Sequence, residues 1–174
     1  MNAPNARRAA ERLLAKLRIN VVPVNVGQIA KGVGLRVVYL ELPDDVSALL
    51  VTEKDKTAVG VNASHPKTRQ RFSLAHEIGH FVLGHQFELG EHVHVDSGRR
   101  ISARSTLASA GLDSKEIEAN QFAAELLMPT KLVRTYAAEF DDHPLLENEV
   151  ETLARRFGVS RHAMTIQLSA LGLV

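Results

Sequence analysis

The chain has 174 residues, of which 45% are hydrophobic and 24% charged, and its formal net charge at pH 7 is +1. These values are ordinary for a globular protein with a buried core. The near-neutral charge gives no electrostatic reason to expect that the body as a whole binds nucleic acid or an anionic membrane. The sequence contains no cysteine, which excludes disulfides, thiolate nucleophiles and iron–sulfur clusters. Any metal ion must therefore be held by His, Asp and Glu.

Residues 1–20 carry apolar side chains at helical spacing with basic residues between them. This pattern predicts a surface helix that docks by its apolar stripe; a basic amphipathic helix lying on a membrane is the alternative. The segment lacks the continuous apolar core of a signal peptide, and no run in the sequence is long enough to span a bilayer. We therefore expect a cytoplasmic protein without membrane partners.

Three short runs rich in β-branched residues follow a second predicted helix, VNVGQIAKGVG, which ends at Gly32 and Gly34. They are LRVVYL (35–40), SALLVT (47–52) and TAVGVN (57–62), and turn sequences separate them. The pattern predicts a small antiparallel sheet of about three strands in a meander.

The period becomes helical from about Lys67 to Leu83. Residues 86–113 show no clear period and are predicted to form a long loop, of the kind that is often functional or mobile. Further helices are predicted at 114–128, 131–140, 146–157 and 160–171. Strands followed by clustered helices are typical of the α+β class. We predict an α+β protein with a helical C-terminal half.

Three of the eight histidines lie within RFSLAHEIGHFVLGH, residues 71–85. His76 and His80 are four positions apart and share one helix face, where two neutral imidazoles can hold one zinc ion at about 2 Å. Glu77 is rotated by about 100° from His76, so it is a candidate general base rather than a ligand, as in the H-E-x-x-H pattern of zinc proteases. The alternative is a pair of hydrogen-bonded core histidines. His85, about 180° from the face of His76 on a continuous helix, is predicted to be only a polar residue near the helix end.

Catalytic zinc usually has three protein ligands, so a third must come from elsewhere. In SKEIEANQFAAELLMP, residues 114–129, Glu116 and Glu118 are about 160° apart and only one can face the metal. Asn120 shares the face of Glu116, where its amide oxygen could accept the free N–H of a ligating histidine. This pairing favours Glu116 as the third ligand and leaves Glu118 as a solvated charge. Glu125 lies about 180° from Glu116 and is excluded.

RFSLAHEIGH followed by EIEANQFAAELLMP resembles the ImmA/IrrE family of metallo-endopeptidases, which is related to the gluzincins. PVNVGQIAKGVGLRVV resembles the family's opening and RFGVSRHAMTIQLSALGL its usual ending, so the resemblance covers most of the chain. It implies one zinc ion per chain, held by His76, His80 and Glu116, with Glu77 as general base. It also implies a protein substrate, because many members cleave helix-turn-helix transcriptional repressors.

The resemblance further implies a single zincin-like domain in which the sheet packs on the active-site helix. We expect N-terminal helices and sheet at 1–66, catalytic helices at 67–140 and a C-terminal helical hairpin at 144–174. The strand TAVGVN is a candidate to pair with an extended substrate, although its pattern fits an ordinary strand equally. Candidate donors to the developing oxyanion are His92, His94 and Tyr136, and no spacing argument selects among them.

Residues 153–171, LARRFGVSRHAMTIQLSAL, have the helix, glycine turn and helix of a DNA-binding helix-turn-helix. From Pro144 to the last residue, three arginines balance three glutamates, whereas a phosphate-binding surface is clearly positive. We therefore favour a hairpin that packs on the catalytic helices or docks the partner, without direct nucleic-acid binding. A DNA-binding regulator and a metal-bound protein that sequesters a repressor without cutting it are the alternatives. The sequence leaves the oligomeric state open.

Overall fold

The computed structural model describes residues 3–53, 56–85, 93–97, 108–140 and 144–174. Within these ranges the chain forms seven helices and four strands. In chain order they are α1 (Ala3–Lys16), α2 (Val26–Gly32), β1 (Arg36–Leu40), β2 (Val46–Glu53), β3 (Lys56–Asn62), α3 (Lys67–Leu83), β4 (Val93–Ser97), α4 (Ala108–Leu127), α5 (Thr130–Ala137), α6 (Glu147–Phe157) and α7 (Arg161–Ala170). The predicted α+β class and the helical C-terminal half are confirmed.

The sheet has the strand order β1-β3-β2-β4. Strands β2 and β3 form an antiparallel hairpin, β4 pairs antiparallel with β2, and β1 lies parallel to β3 with Val37 opposite Val59. The predicted antiparallel meander of three strands was therefore wrong in its arrangement: β1 joins the far side of the hairpin, and β4 comes from the segment without a clear period. Period-2 alternation identifies strands but does not encode which strands pair.

The position of β3 also corrects its predicted role. Val59 is fully buried and stands in register with Val37 of β1 and Leu50 of β2. Since β3 is hydrogen-bonded on both sides, its backbone has no edge to offer an extended substrate. Of the two alternatives left open for TAVGVN, the ordinary strand of the sheet is therefore correct, and the candidate role of pairing with substrate is contradicted. Among the strands that the structure describes, β1 and β4 lie at the edges.

Helix α3 is the central element of the fold, because it contacts the sheet through β2 and β3 and also packs along α4. Its residues from Ser73 to His80 are all buried, so it lacks the one-sided apolar stripe of a surface helix. Ile78 of α3 and Phe122 of α4 are fully buried. Burial of side chains of this size contributes roughly 1.5–3 kcal/mol each.

One arginine of α3 hydrogen-bonds to the end of α6. Gly158 ends α6 with a φ of +65°, a left-handed conformation that favours glycine. The Nε of Arg71 donates to the Gly158 carbonyl at 2.9 Å, and its Nη2 donates to the Phe157 carbonyl at 3.3 Å. The carbonyl end of α6 is therefore bound to the helix that carries the histidine motif.

No helix in the part of the chain that the structure describes is long and apolar enough to cross a membrane.

The end of β3 is held by the side chain of Asn62, which is fully buried. Its Nδ2 donates to the carbonyls of Leu42 and Pro43 at 3.1 Å and of Val46 at 2.8 Å. Its Oδ1 accepts from the Ser64 amide at 3.0 Å. One amide side chain thus fixes the connection between β1 and β2 against the entry to α3.

We expect Asn62→Asp to lower the free energy of unfolding by about 3 kcal/mol, because a buried carboxylate would face three carbonyl oxygens. Urea unfolding followed by circular dichroism measures the change. The matched control is Asn25→Asp at the exposed N-cap of α2, where the side chain accepts from the Gln28 amide at 3.1 Å and Asp serves equally well. Equal losses in the two variants would contradict the role assigned to Asn62.

Candidate metal centre

Helix α3 places His76 and His80 on one face, as their spacing predicts. Their Nε2 atoms are 2.9 Å apart and their ring centroids 4.6 Å apart. His76 is 3% exposed and His80 is fully buried. Two buried imidazoles therefore aim the same ring nitrogen at a common point.

Helix α4 brings Glu116 to that point. Its Oε2 lies 3.2 Å from Nε2 of His76, and its Oε1 lies 3.2 Å from Nε2 of His80. The ligand atoms of these residues lie within 4.8 Å of one another, close enough for one metal ion. The Glu116 side chain is 38% exposed, so the site opens to solvent on its carboxylate side.

The hydrogen bonds behind the two rings fit a cation between them. Nδ1 of His76 lies 3.0 Å from Oδ1 of Asn120, and Nδ1 of His80 lies 2.9 Å from Nδ1 of His85. An amide oxygen only accepts, so His76 donates from Nδ1, and its neutral form then presents a lone pair at Nε2. Distances of 2.9–3.2 Å between the ligand atoms approach the separation of about 3.3 Å expected for two ligands of a tetrahedral zinc ion. The donor set thus fits zinc, and Asn120 lies where the sequence predicts.

His85 does not lie where the sequence predicts. Helix α3 ends at Leu83, Gly84 takes a left-handed conformation with φ of +67°, and the His85 amide donates to the His80 carbonyl at 3.0 Å. The turn returns the His85 ring to His80, and its Nε2 lies 3.1 Å from Oε2 of Glu118. The prediction that His85 points away assumed a continuous helix and was wrong.

Glu118 also requires correction, because its side chain is only 6% exposed and is not a solvated charge. It does lie away from the ligand atoms, as the angular argument predicts, but it contacts His85 instead. Burial lowers the pKa of His85, and the hydrogen bond and charge of Glu118 act in the opposite direction. A glycine directly after the last helical residue was the signal in the sequence that could have revealed the turn.

Comparison with known proteins identifies the family. Residues 30–169 match the model of the Peptidase_M78 family, described as the IrrE N-terminal-like domain. The chain belongs to this family. The resemblance of the two motifs is thereby confirmed, and the family is one of metal-dependent peptidases.

Two individual proteins resemble this M78 chain. One is the "Uncharacterized immunity region protein 2" of Bacillus phage phi105, 26% identical over 128 residues that cover 74% of this chain and 71% of that protein. The other is the solved structure of a Mycobacterium tuberculosis transcriptional regulator, with a TM-score of 0.63 and 18% identity. That likeness covers 95% of this chain but 46% of the regulator, so this chain spans less than half of its length. At this identity the likeness shows the fold alone.

The other two glutamates considered for the site, Glu77 and Glu125, lie in different environments. Glu77 is fully buried on α3 between the two histidines of the motif. Glu125 accepts from the amide and the hydroxyl of Thr130 at 2.8 Å each, at the start of α5. Burial raises the pKa of Glu125, and these hydrogen bonds act against the increase. Glu125 therefore stabilises a helix start, in agreement with its exclusion as a ligand.

The candidate oxyanion donors gain little support. Tyr136 packs edge-on against Phe157 with ring centroids 5.8 Å apart, and the Arg156 guanidinium lies 4.5 Å from its ring centroid. These contacts give Tyr136 a packing role between α5 and α6. His92 lies outside the described residues, and the side chain of His94 on β4 does so as well.

Close packing of α3 on α4 sets the distance between the histidines and Glu116. A Cβ atom placed on Gly79 would lie 3.1 Å from Cδ1 of Phe122 and 3.2 Å from the carbonyl oxygen of Ala119. The second contact is with backbone, which cannot rotate aside. An alanine at position 79 would therefore push α3 and α4 apart by a few tenths of an ångström.

We expect Gly79→Ala to lower the free energy of unfolding by about 1–2 kcal/mol, since overpacking costs about 1–3 kcal/mol and outweighs the helix propensity of alanine. Chemical denaturation measures it. The matched control is Gly27→Ala in α2, where the added Cβ would lie 3.5 Å from Oδ1 of Asn25, an ordinary contact. That variant should be neutral or slightly stabilised. A neutral Gly79→Ala would contradict close packing as the determinant of helix separation.

Proposed function

We propose that this chain is a zinc-dependent endopeptidase of the cytoplasm, and that its substrate is a helix-turn-helix transcriptional repressor whose cleavage relieves repression. The observation that carries the proposal is the convergence of His76, His80 and Glu116 at 2.9–3.2 Å, beside the buried Glu77. Membership of the M78 family supports it.

In this proposal His76, His80 and Glu116 would hold the metal. Two imidazoles and one carboxylate are a ligand set of catalytic zinc. A zinc ion bound here supplies Lewis-acid chemistry, which lowers the pKa of water and polarises the scissile carbonyl. Asn120 keeps the His76 ring oriented through its hydrogen bond at 3.0 Å.

Glu77 acts as the general base and then as the general acid. Its carboxylate removes the proton from the attacking water, and the water oxygen forms the new bond to the carbonyl carbon. The carboxylic acid then returns the proton to the leaving amine as the C–N bond breaks. Complete burial of Glu77 keeps bulk solvent from competing for that proton.

The names of the two similar proteins support a partner in transcriptional control. The phage relative is named for an immunity region, and the structural neighbour is called a transcriptional regulator. An extended substrate segment would add to the sheet at β1 or β4, because these are the edges among the strands described.

We also propose that the chain folds as one peptidase domain with the C-terminal helices docked on it. The packing of α1 on α4 and the hydrogen bonds from Arg71 to the end of α6 support this arrangement.

The charges of the C-terminal helices argue against the alternative of a DNA-binding regulator. Each arginine after residue 144 forms an ion pair with a glutamate; the pairs are Arg155–Glu151, Arg156–Glu139 and Arg161–Glu147. Arginines engaged in this way leave little net positive charge for a phosphate backbone. We therefore propose that these helices contact protein.

The zinc site is tested by metal content. We expect about one zinc per chain in the wild type and a loss of most of it in Glu116→Ala, because two protein ligands hold zinc poorly. The matched control is Glu151→Ala: Glu151 is also a helical glutamate, and its side chain is 38% exposed, as is that of Glu116. Elemental analysis after dialysis measures the content. Full zinc in Glu116→Ala would remove Glu116 from the ligand set.

Proteolysis is tested with Glu77→Gln. We expect this variant to keep its zinc and its fold but to cleave a helix-turn-helix repressor at least about 100-fold more slowly, because the amide cannot accept the proton of water. Electrophoresis and mass spectrometry of the repressor over time measure cleavage. If Glu77→Gln still neutralised the repressor at stoichiometric concentration, the chain would act by sequestration rather than by cleavage.

A further inference from the structure

The ring edge of His80 opposite to Glu116 contacts a chain of two buried polar side chains. Nδ1 of His80 lies 2.9 Å from Nδ1 of His85, and Nε2 of His85 lies 3.1 Å from Oε2 of Glu118. The His85 and Glu118 side chains are only 5% and 6% exposed. Polar groups buried to this extent are costly unless their hydrogen bonds are well formed.

We propose that His85 and Glu118 are positioning residues that hold His80 in the tautomer and ring orientation required for binding zinc. This inference rests on the function proposed above and extends its site by two residues. Neither residue contacts the metal position itself, so both act through His80.

The direction of the protons follows from the chemistry of each group. A histidine that binds metal through Nε2 must carry its proton on Nδ1, so His80 donates to His85. Nδ1 of His85 then accepts, which requires its own proton to be on Nε2. That proton faces the Glu118 carboxylate, which accepts it. With a neutral His85 and an ionised Glu118, each of these contacts has one donor and one acceptor when His80 carries its proton on Nδ1 and presents its Nε2 lone pair to the metal.

Helix α4 supplies the support for both histidine ligands from alternate positions. Glu116 contacts His76 and His80, Asn120 accepts from His76, and Glu118 accepts from His85. The two supports differ in charge, because Asn120 is a neutral amide whereas Glu118 is a carboxylate that acts across an imidazole. A carboxylate behind a ligating histidine raises the basicity of that ligand. We therefore infer that the His85–Glu118 pair raises the zinc affinity of His80 in addition to orienting its ring.

The turn after α3 is what makes this support available. The left-handed Gly84 and the hydrogen bond from the His85 amide to the His80 carbonyl at 3.0 Å return the chain to its last helical turn. The His85 ring, which a continuous helix would direct away from the ligands, is thereby brought against His80.

The first test is zinc affinity, measured by competition with a chromophoric chelator. We expect His85→Ala to bind zinc about 10–100-fold more weakly than the wild type. The zinc affinity of Glu118→Gln should lie between those of the wild type and His85→Ala, because its amide oxygen still accepts from His85 but carries no charge. Glu118→Ala should bind zinc about as weakly as His85→Ala. The control for removing a buried histidine is His65→Ala: His65 is 9% exposed and its Nε2 lies 3.1 Å from the Asp44 carbonyl oxygen. We expect unchanged zinc affinity in that variant.

The second test uses the zinc-loaded wild type and does not depend on any variant folding. Long-range ¹H–¹⁵N spectra report which ring nitrogen carries the proton. We expect protons on Nδ1 of His80 and on Nε2 of His85. A proton on Nδ1 of His85, or zinc affinity in His85→Ala equal to that of the wild type, would overturn the inference while leaving the proposed peptidase intact. A wild type that binds no zinc would overturn both.

Discussion

The contact between α3 and α4 at Gly79 and Ala119 is the constraint on which the site depends. His76 and His80 lie on one helix and Glu116 on the other, so the proposed metal ligands meet only if the helices approach closely. A Cβ on Gly79 would lie 3.2 Å from the Ala119 carbonyl oxygen. The H-E-x-x-H motif and the helix contact are therefore not separate features, because Gly79 belongs to the same five residues.

The surroundings of the site divide into a rigid part and an accessible part. The histidines, Glu77 and Glu118 are buried, whereas the Glu116 side chain is 38% exposed. The hydrogen bonds at Nδ1 restrict the ring orientation of both buried imidazoles. The exposed carboxylate leaves one side open, as the proposed peptidase would require for an extended substrate segment.

The residues that the sequence predicted well are those that depend on helix period alone. His76 and His80 share a face because they are four apart on a regular helix, and Asn120 follows Glu116 by the same spacing. His85 and Glu118 could not be predicted in this way, since their contact depends on a chain reversal at Gly84. The prediction of strand pairing, which did not place β1 beside β3, was wrong for a similar reason. Pairing is a long-range property, and the connection between β1 and β2 is secured by Asn62, a residue from a third strand.

The hydrogen bonds of Arg71 have a consequence for how far the protein can be shortened. Arg71 lies on α3, five residues before His76. Its guanidinium donates hydrogen bonds to the carbonyls of Phe157 and Gly158 at the end of α6. Deletion of the C-terminal helices would remove both acceptors of this half-buried cation on α3, the helix that carries His76 and His80. We therefore expect a chain that ends before Gly158 to be less stable around the candidate metal site.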